Sequence, residues 1–254
     1  MFVLALVIIS AVADDSLGGR FAPPPGYTRV PVASGSLGEY LRKLPLLAGK
    51  PEVLLYDGQP KRNQNAHVAV VDLDVGERDL QQCADAVIRI IAEYKKLRGD
   101  DVCFTLTSGA PMPWSRWRAG ERPHITNRET TWTMSAKSDD SARNWRAYLD
   151  TLFTYAGTRS LAHDTTLLPD DASIESGDIF VEPGSPGHAV LVVDVAVADS
   201  DPAQRVFMLV QSYMPAQQIH VLKGPWFTPA TPLVTPEWIF PTGSHRRMTK
   251  PPCR

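Results

Sequence analysis

No apolar run in this chain approaches the ~20 residues that a membrane-spanning helix needs. The N-terminal one stops after Phe2 to Val12. Basic runs are missing as well. Lys and Arg number 26 against 28 Asp and Glu, a formal net charge of -2, so neither nucleic acid nor an anionic membrane surface is an expected partner. The chain has no H-E-x-x-H, no C-x-x-C, no phosphate-binding glycine loop and no G-x-S-x-G elbow. Metalloprotease, nucleotide-dependent and serine-hydrolase chemistry therefore lack support. Asp72-x-Asp74-x-Gly76-x-x-Asp79 falls short of a calcium loop, because its glycine comes one place early and no Glu closes it. No metal or organic cofactor is expected. No internal repeat or low-complexity linker interrupts the 254 residues.

What is present fits an exported globular protein. Hydrophobic residues make up 43% and charged residues 21%, enough for a sizeable core. The N-terminal apolar run ends in Ala11-Val12-Ala13 before Asp14, a small-x-small cleavage pattern, although no Lys or Arg precedes the run. Residues 1–13 read as a signal peptide and 14–35 as a Pro-rich entry segment. Residues 36–222 read as one domain, and 223–254 as an irregular Pro-rich tail wrapping the surface. Three cysteines, Cys83, Cys103 and Cys253, leave at least one thiol without an internal partner. A Cys103–Cys253 bond would leave Cys83 free, but spacing alone does not fix the pairing.

Local patterns give the element order. Ser36-Leu-Gly-Glu39 is a capping box opening a short helix. Val53–Tyr56 and the run from His67 to Leu73 suggest a strand pair. Asp79-Leu-Gln-Gln82 predicts a second helix, capped by Asp79, with Leu80, Cys83, Ala84, Val87, Ile88 and Ile91 along one stripe. Val102–Thr107 reads as a strand and 108–140 as irregular. Ser141 caps another helix that ends at Gly157. Ile179–Val181, Ala189–Val193, Val206–Val210 and Ile219–Leu222 then follow as closely spaced strands. Helices first and antiparallel strands last argue for an α+β domain.

Two residues in this order can do chemistry together. Cys83 falls in the first turn of its helix, where backbone N–H groups and the dipole favour an anion. It also falls on the apolar stripe, where a free cysteine is simply core. His188 follows Gly-Ser-Pro-Gly187 at the head of a strand, where a neutral imidazole can take a thiol proton. Its bland alternative is a strand-end histidine bonded to a loop carbonyl. His67 is the rival base. Gln211, closing the next strand, is placed to orient the imidazole, with His220 in reserve. Asp194 lies six residues beyond His188, roughly 20 Å along a strand at ~3.3 Å per residue, and is too far. Gln82 or Gln81 could add an oxyanion donor or merely cap the helix. Trp114, Trp117 and Arg118 offer indole faces and a guanidinium for a glycan or peptide, or ordinary loop anchors.

Nearly the whole chain resembles an exported bacterial family known as domain of unknown function 4846. The matching stretches include FAPPPGY, LLYDGQ, NQNAHVAVVDLDVGERDLQQCADAVIR, LDTLFTYAGTRSL, GDIFVEPGSPGHAVLVVD and QSYMPAQQIHVLK. A second, local resemblance is to papain-like cysteine amidases of the NlpC/P60 and CHAP type. It rests on Gln82-Cys83 opening a helix and on GDIFV, GHAVLVV and VFMLVQ as the strand series. That resemblance implies a central helix packed on an antiparallel sheet, with Cys83 as nucleophile, His188 as base and Gln211 as orienter. It departs in the long Cys–His separation and in the strand pair preceding the helix. The expected function is an exported thiol amidohydrolase acting on cell-envelope peptides. The alternative is a non-catalytic envelope protein that binds a glycan or a protein partner through the Trp/Arg-rich surface.

Overall fold

The computed structural model describes residues 15–126, 129–249 and 253, so the expected signal peptide lies outside the described residues. The chain enters through α1 (Leu17–Arg20), β1 (Tyr27–Arg29) and α2 (Leu37–Arg42). Ser36 Oγ accepts from the Glu39 N–H and starts α2 as its sequence predicts. β2 (His67–Val70) precedes the long α3 (Cys83–Arg98), which ends on Gly99 at φ 72, a left-handed position that glycine takes without a Cβ penalty.

The segment expected to be irregular is built. After the expected strand β3 (Cys103–Thr105), it holds β4 (Pro111–Pro113), α4 (Trp114–Ala119), β5 (Glu121–Ile125) and β6 (Thr130–Met134). α5 (Ala142–Tyr155) is capped by Ser141. Gly157 does not end that helix but opens the next, α6 (Thr158–Asp164). Then come β7 (Thr166–Leu167), β8 (Ile179–Glu182), β9 (His188–Ala198), β10 (Asp201–Gln211) and β11 (His220–Leu222). The Pro-rich C-terminal segment, expected to be irregular, contributes β12 (Leu233–Val234), β13 (Ile239–Phe240) and β14 (His245–Arg247).

The architecture is mixed α and β around an eight-stranded sheet of order β2-β11-β10-β9-β8-β14-β7, with β1 also on β9. Its strand pairs are antiparallel. Residues 53–56 do not pair with β2. They form only isolated bridges, and β2 pairs with β11 instead. β9 is central and both of its faces are covered. Ala189, Leu191 and Val193 share one apolar cluster with Val87, Ile88 and Ile91 of α3. Val190 and Val192 lie in a second cluster with Phe207, Leu209, Leu233 and Phe240. The unbroken apolar run of β9 is thus explained: alternate residues feed α3 on one side and the C-terminal segment on the other.

Two devices tie the ends of the chain to this frame. Asp194, buried in β9, accepts from Arg29 Nε and Arg42 Nε, each at 2.6 Å. A Cys103–Cys253 disulfide, with Cα atoms 6.0 Å apart, joins β3 to the C-terminus. Cys83 is left as the free thiol. Among the described residues no helix is long and apolar enough to cross a membrane.

Candidate active site

α3 starts three residues later than an Asp79 cap would place it. Gln82 is the N-cap and Cys83 the first helical residue. Gln82 and Asp85 form a reciprocal capping box, and Asp79 instead accepts from Gln82 Nε2 at 3.0 Å and from the Ala216 N–H at 2.7 Å. This start puts Cys83 where the backbone N–H groups of a helix's first residues have no intrahelical acceptor. Gln82, however, is largely occupied. Its oxygen caps the Asp85 N–H and one amide hydrogen goes to Asp79, so only its second amide hydrogen is left for an oxyanion. Gln81 is likewise engaged, with Arg89 and the Asp74 carbonyl.

The thiol is 4% exposed and borders an open cleft of about 380 Å³. Opposite it stands the loop Gly184–Gly187. This loop is held by Thr158, whose Oγ1 accepts from the Gly184 N–H at 3.2 Å. Glycine is required at 187: an added Cβ would sit 2.7 Å from Glu182 O, Gly184 N and Thr158 Oγ1. The loop delivers the chain into β9 directly against the sulfur. Cys83 Sγ donates to the Gly187 carbonyl at 3.9 Å, and the Ala189 N–H approaches it as well. The thiol therefore touches the peptide groups on both sides of His188.

The imidazole of His188 is fully buried. Its ring packs 4.9 Å from Tyr213, 5.0 Å from Trp238 and 5.7 Å from Phe240. Nε2 lies 2.9 Å from Gln211 Oε1, the pairing expected from sequence. The Gln211 amide is fixed in turn, since its Nε2 donates to Glu237 Oε2 at 2.7 Å. That orientation turns the amide oxygen to His188, so Nε2 carries the proton and Nδ1 keeps a lone pair. Nδ1 has no hydrogen-bond partner. No hydrogen bond joins it to Cys83: the strand's alternation places the ring among Trp238 and Phe240, while Ala189 faces α3.

The network continues beyond Gln211. Lys61 donates to Glu237 at 2.7 Å and lies 3.3 Å from His220 Nε2. His220 Nδ1 faces the Gln218 carbonyl at 2.9 Å, which leaves Nε2 as the acceptor. His220, the reserve orienter, thus supports Gln211 and does not replace it. His67, the rival base, bonds Pro51 O at 2.9 Å on β2, with β11 and β10 between it and β9.

Burial sets the charge states. It pushes the Cys83 thiol up to about 11, with the carboxyl of Asp85 adding to the effect. It pulls His188 down to about 4 despite the Gln211 hydrogen bond. Burial also opposes ionisation of Glu237, but the Lys61 ammonium that donates to it outweighs this and holds the carboxyl below its usual range. At neutral pH the pair is thiol plus neutral imidazole.

Trp114, Trp117 and Arg118 are elsewhere. The two indoles are 5% and 6% exposed and pack on Trp145 and Tyr148. Lys96, near the far end of α3, lies over the Trp114 ring, thirteen residues and roughly 20 Å of helix from Cys83 at ~1.5 Å per residue. Arg118 faces Asp140 at 3.9 Å. These residues do not reach the thiol's cleft, because α4 packs against α5 with its indoles inward. Asp74, of the calcium-like segment, pairs with Arg89 and Arg146, and no metal-binding cluster occurs among the described residues. Sequence reasoning missed Glu237, Trp238 and Lys61. They sit in aperiodic, Pro-containing stretches that give no sign of burial.

A family model described as domain of unknown function (4846) matches residues 17–247. No curated protein and no solved structure matches the chain. The chain belongs to the domain of unknown function 4846 family.

Proposed function

We propose that this member of the family is a papain-like cysteine amidohydrolase, exported and acting on peptide bonds of cell-envelope material. One observation carries the reading: Gln211 holds His188 by Nε2 and leaves Nδ1 unpartnered, on the residue whose flanking peptide groups seat the Cys83 thiol. A free acceptor, a thiol at a helix start and a bordering cleft form the set that thiol acyl transfer needs. The Cys103–Cys253 disulfide and the apolar N-terminus support export to an oxidising compartment.

In this mechanism the side chains of Cys83 and His188 turn toward each other when substrate enters. Nδ1 takes the thiol proton as Sγ attacks the scissile carbonyl. The N–H groups of Cys83 and Ala84 hold the oxyanion at the helix start. The imidazolium then protonates the departing amine as the C–N bond breaks. Water attacks the thioester, gives its proton to Nδ1, and the carboxylic acid leaves as the thiol re-forms.

The test is alkylation by iodoacetamide, followed by intact mass and peptide mapping. The native protein should be modified at Cys83, and His188→Ala should lose that reactivity while keeping its circular dichroism. A thiol that reacts only in denaturant, or equally fast in both proteins, would sink the proposal.

A further inference from the structure

The cleft beside Cys83 is lined by acidic side chains and by no basic one. Its lining includes two carboxyl residues, Asp79 and Asp85, and no Lys, Arg or His. The remaining wall is apolar or uncharged, with Phe153, Thr158 and Met214 among it. The cleft at the far end of α3 is mixed, Lys96 and Arg118 facing Asp100, Asp101 and Asp140. The asymmetry is therefore local to the thiol.

Asp85 is the informative member. It is only 6% exposed. Its Oδ2 accepts from the Gln82 N–H at 3.2 Å, which completes the cap. Its Oδ1 is buried and has no partner. Capping needs one oxygen, and a buried carboxyl oxygen left unpaired costs roughly 1–3 kcal/mol. Arg89, one turn along α3, does not serve it, being engaged with Glu93, Gln81 and Asp74.

We propose that this cleft binds peptides bearing a primary ammonium group, which the carboxyls of Asp85 and Asp79 receive. The inference rests on Cys83 being the nucleophile and names the substrate class for that site. Burial pushes the Asp85 carboxyl well above the usual carboxylate range, and a bound ammonium would draw it back to the ionised form.

Charged thiol reagents test the site without a known substrate. Methanethiosulfonates bearing trimethylammonium, sulfonate or methyl groups each form a disulfide with Sγ and release methanesulfinate. Rates at Cys83 are normalised to those of free 2-mercaptoethanol. The cationic reagent should be favoured over the anionic one by about tenfold, the effect of ~1.4 kcal/mol. Asp85→Asn keeps an oxygen for the Gln82 N–H and should abolish most of that preference; Asp79→Asn should remove less. Alanylalanine with a free amine should slow labelling, and its N-acetyl form should not. Reaction at Cys83 with no charge preference, or a preference unchanged in Asp85→Asn, overturns the ammonium site and leaves the nucleophile standing. Labelling by none of the three reagents overturns both.

Discussion

His188 Nε2 stands 2.9 Å from Gln211 Oε1, and that contact decides which nitrogen of the ring is basic. Gln211 cannot turn its amide without setting its NH₂ against His188 and its oxygen against the Glu237 carboxylate, to which Nε2 now donates at 2.7 Å. The proton therefore stays on Nε2 and the lone pair on Nδ1.

The pH profile of Cys83 alkylation follows. A base that burial lowers to about 4 is unprotonated at every pH above that value. Imidazole-assisted alkylation should be nearly flat from pH 5 to 8 and fall as pH drops through about 4. Unassisted reaction of a thiol raised to about 11 climbs about tenfold per pH unit through neutrality. Stopped-time alkylation across pH 4–9 should show the flat profile for the native protein and the climbing one for His188→Ala. A climbing profile in both would exclude the base role. The sign for stability is the same. A lowered histidine contributes fully above its unfolded value, near 6.5, and the contribution is lost as pH falls to about 4. That is roughly 3 kcal/mol, measurable by urea unfolding at pH 7.5 and 4.

Glu237 should act on Cys83 without touching it. Glu237→Gln removes the charge that fixes the Gln211 amide and lets the His188 proton divide between Nδ1 and Nε2. Cys83 alkylation at pH 7 should fall by about tenfold, the usual scale for losing an outer orienting partner. It also strands Lys61, 5% exposed, so stability should drop by about 3–5 kcal/mol. The double variant Lys61→Met/Glu237→Gln should recover much of that stability and none of the rate. Nitrogen-15 NMR of the His188 ring supplies a readout that a merely structural role would leave unchanged.

The helices α2, α3 and α5, the central strands and the His188–Gln211 pair were legible because each leaves a periodic, capping or strand-end signature. Ser36 and Ser141 cap as written, and β9 shows its burial as an unbroken apolar run. The start of α3 is ambiguous in sequence because Asp79 and Gln82 both have capping chemistry. Gln82 wins as Asp79 is drawn to the Ala216 N–H, 137 residues away in sequence. The reach of the C-terminal segment was invisible for a related reason. Phe240, Trp238 and Glu237 are placed by contacts with β9 and β10 and by no local repeat. The faces of β9 follow from alternation only once α3 is known to lie on the side of Ala189.

Gly187 is the position where a single methyl group should disable the site. An alanine Cβ would stand 2.7 Å from Glu182 O, Gly184 N and Thr158 Oγ1, and two of these are backbone atoms that can yield only by moving the loop. Gly187→Ala should cost about 1–3 kcal/mol, the usual range for overpacking. It should also break the Gly187 carbonyl contact with Sγ and change the Cys83 alkylation rate. Thr158→Ala removes one of the three obstacles and should rescue little. Full rescue by that second change would show that the backbone contacts carry no constraint.

Asp194 offers the converse case, large in stability and silent in chemistry. Its carboxylate is fully buried and bridges Arg29 and Arg42, which also donate to the carbonyls of Gly18, Phe21 and Val30. One side chain thus fastens α1, β1 and α2 to β9. Asp194→Ala leaves two guanidinium groups without their counter-ion and should lower stability by about 3–5 kcal/mol in urea unfolding. Six residues of extended strand, roughly 20 Å at ~3.3 Å per residue, separate it from His188. The folded fraction should therefore alkylate Cys83 at the native rate and with the native pH profile. A fall in that rate at full folding would mean that the entry segment is coupled to the thiol, and that the two ends of β9 do not act independently.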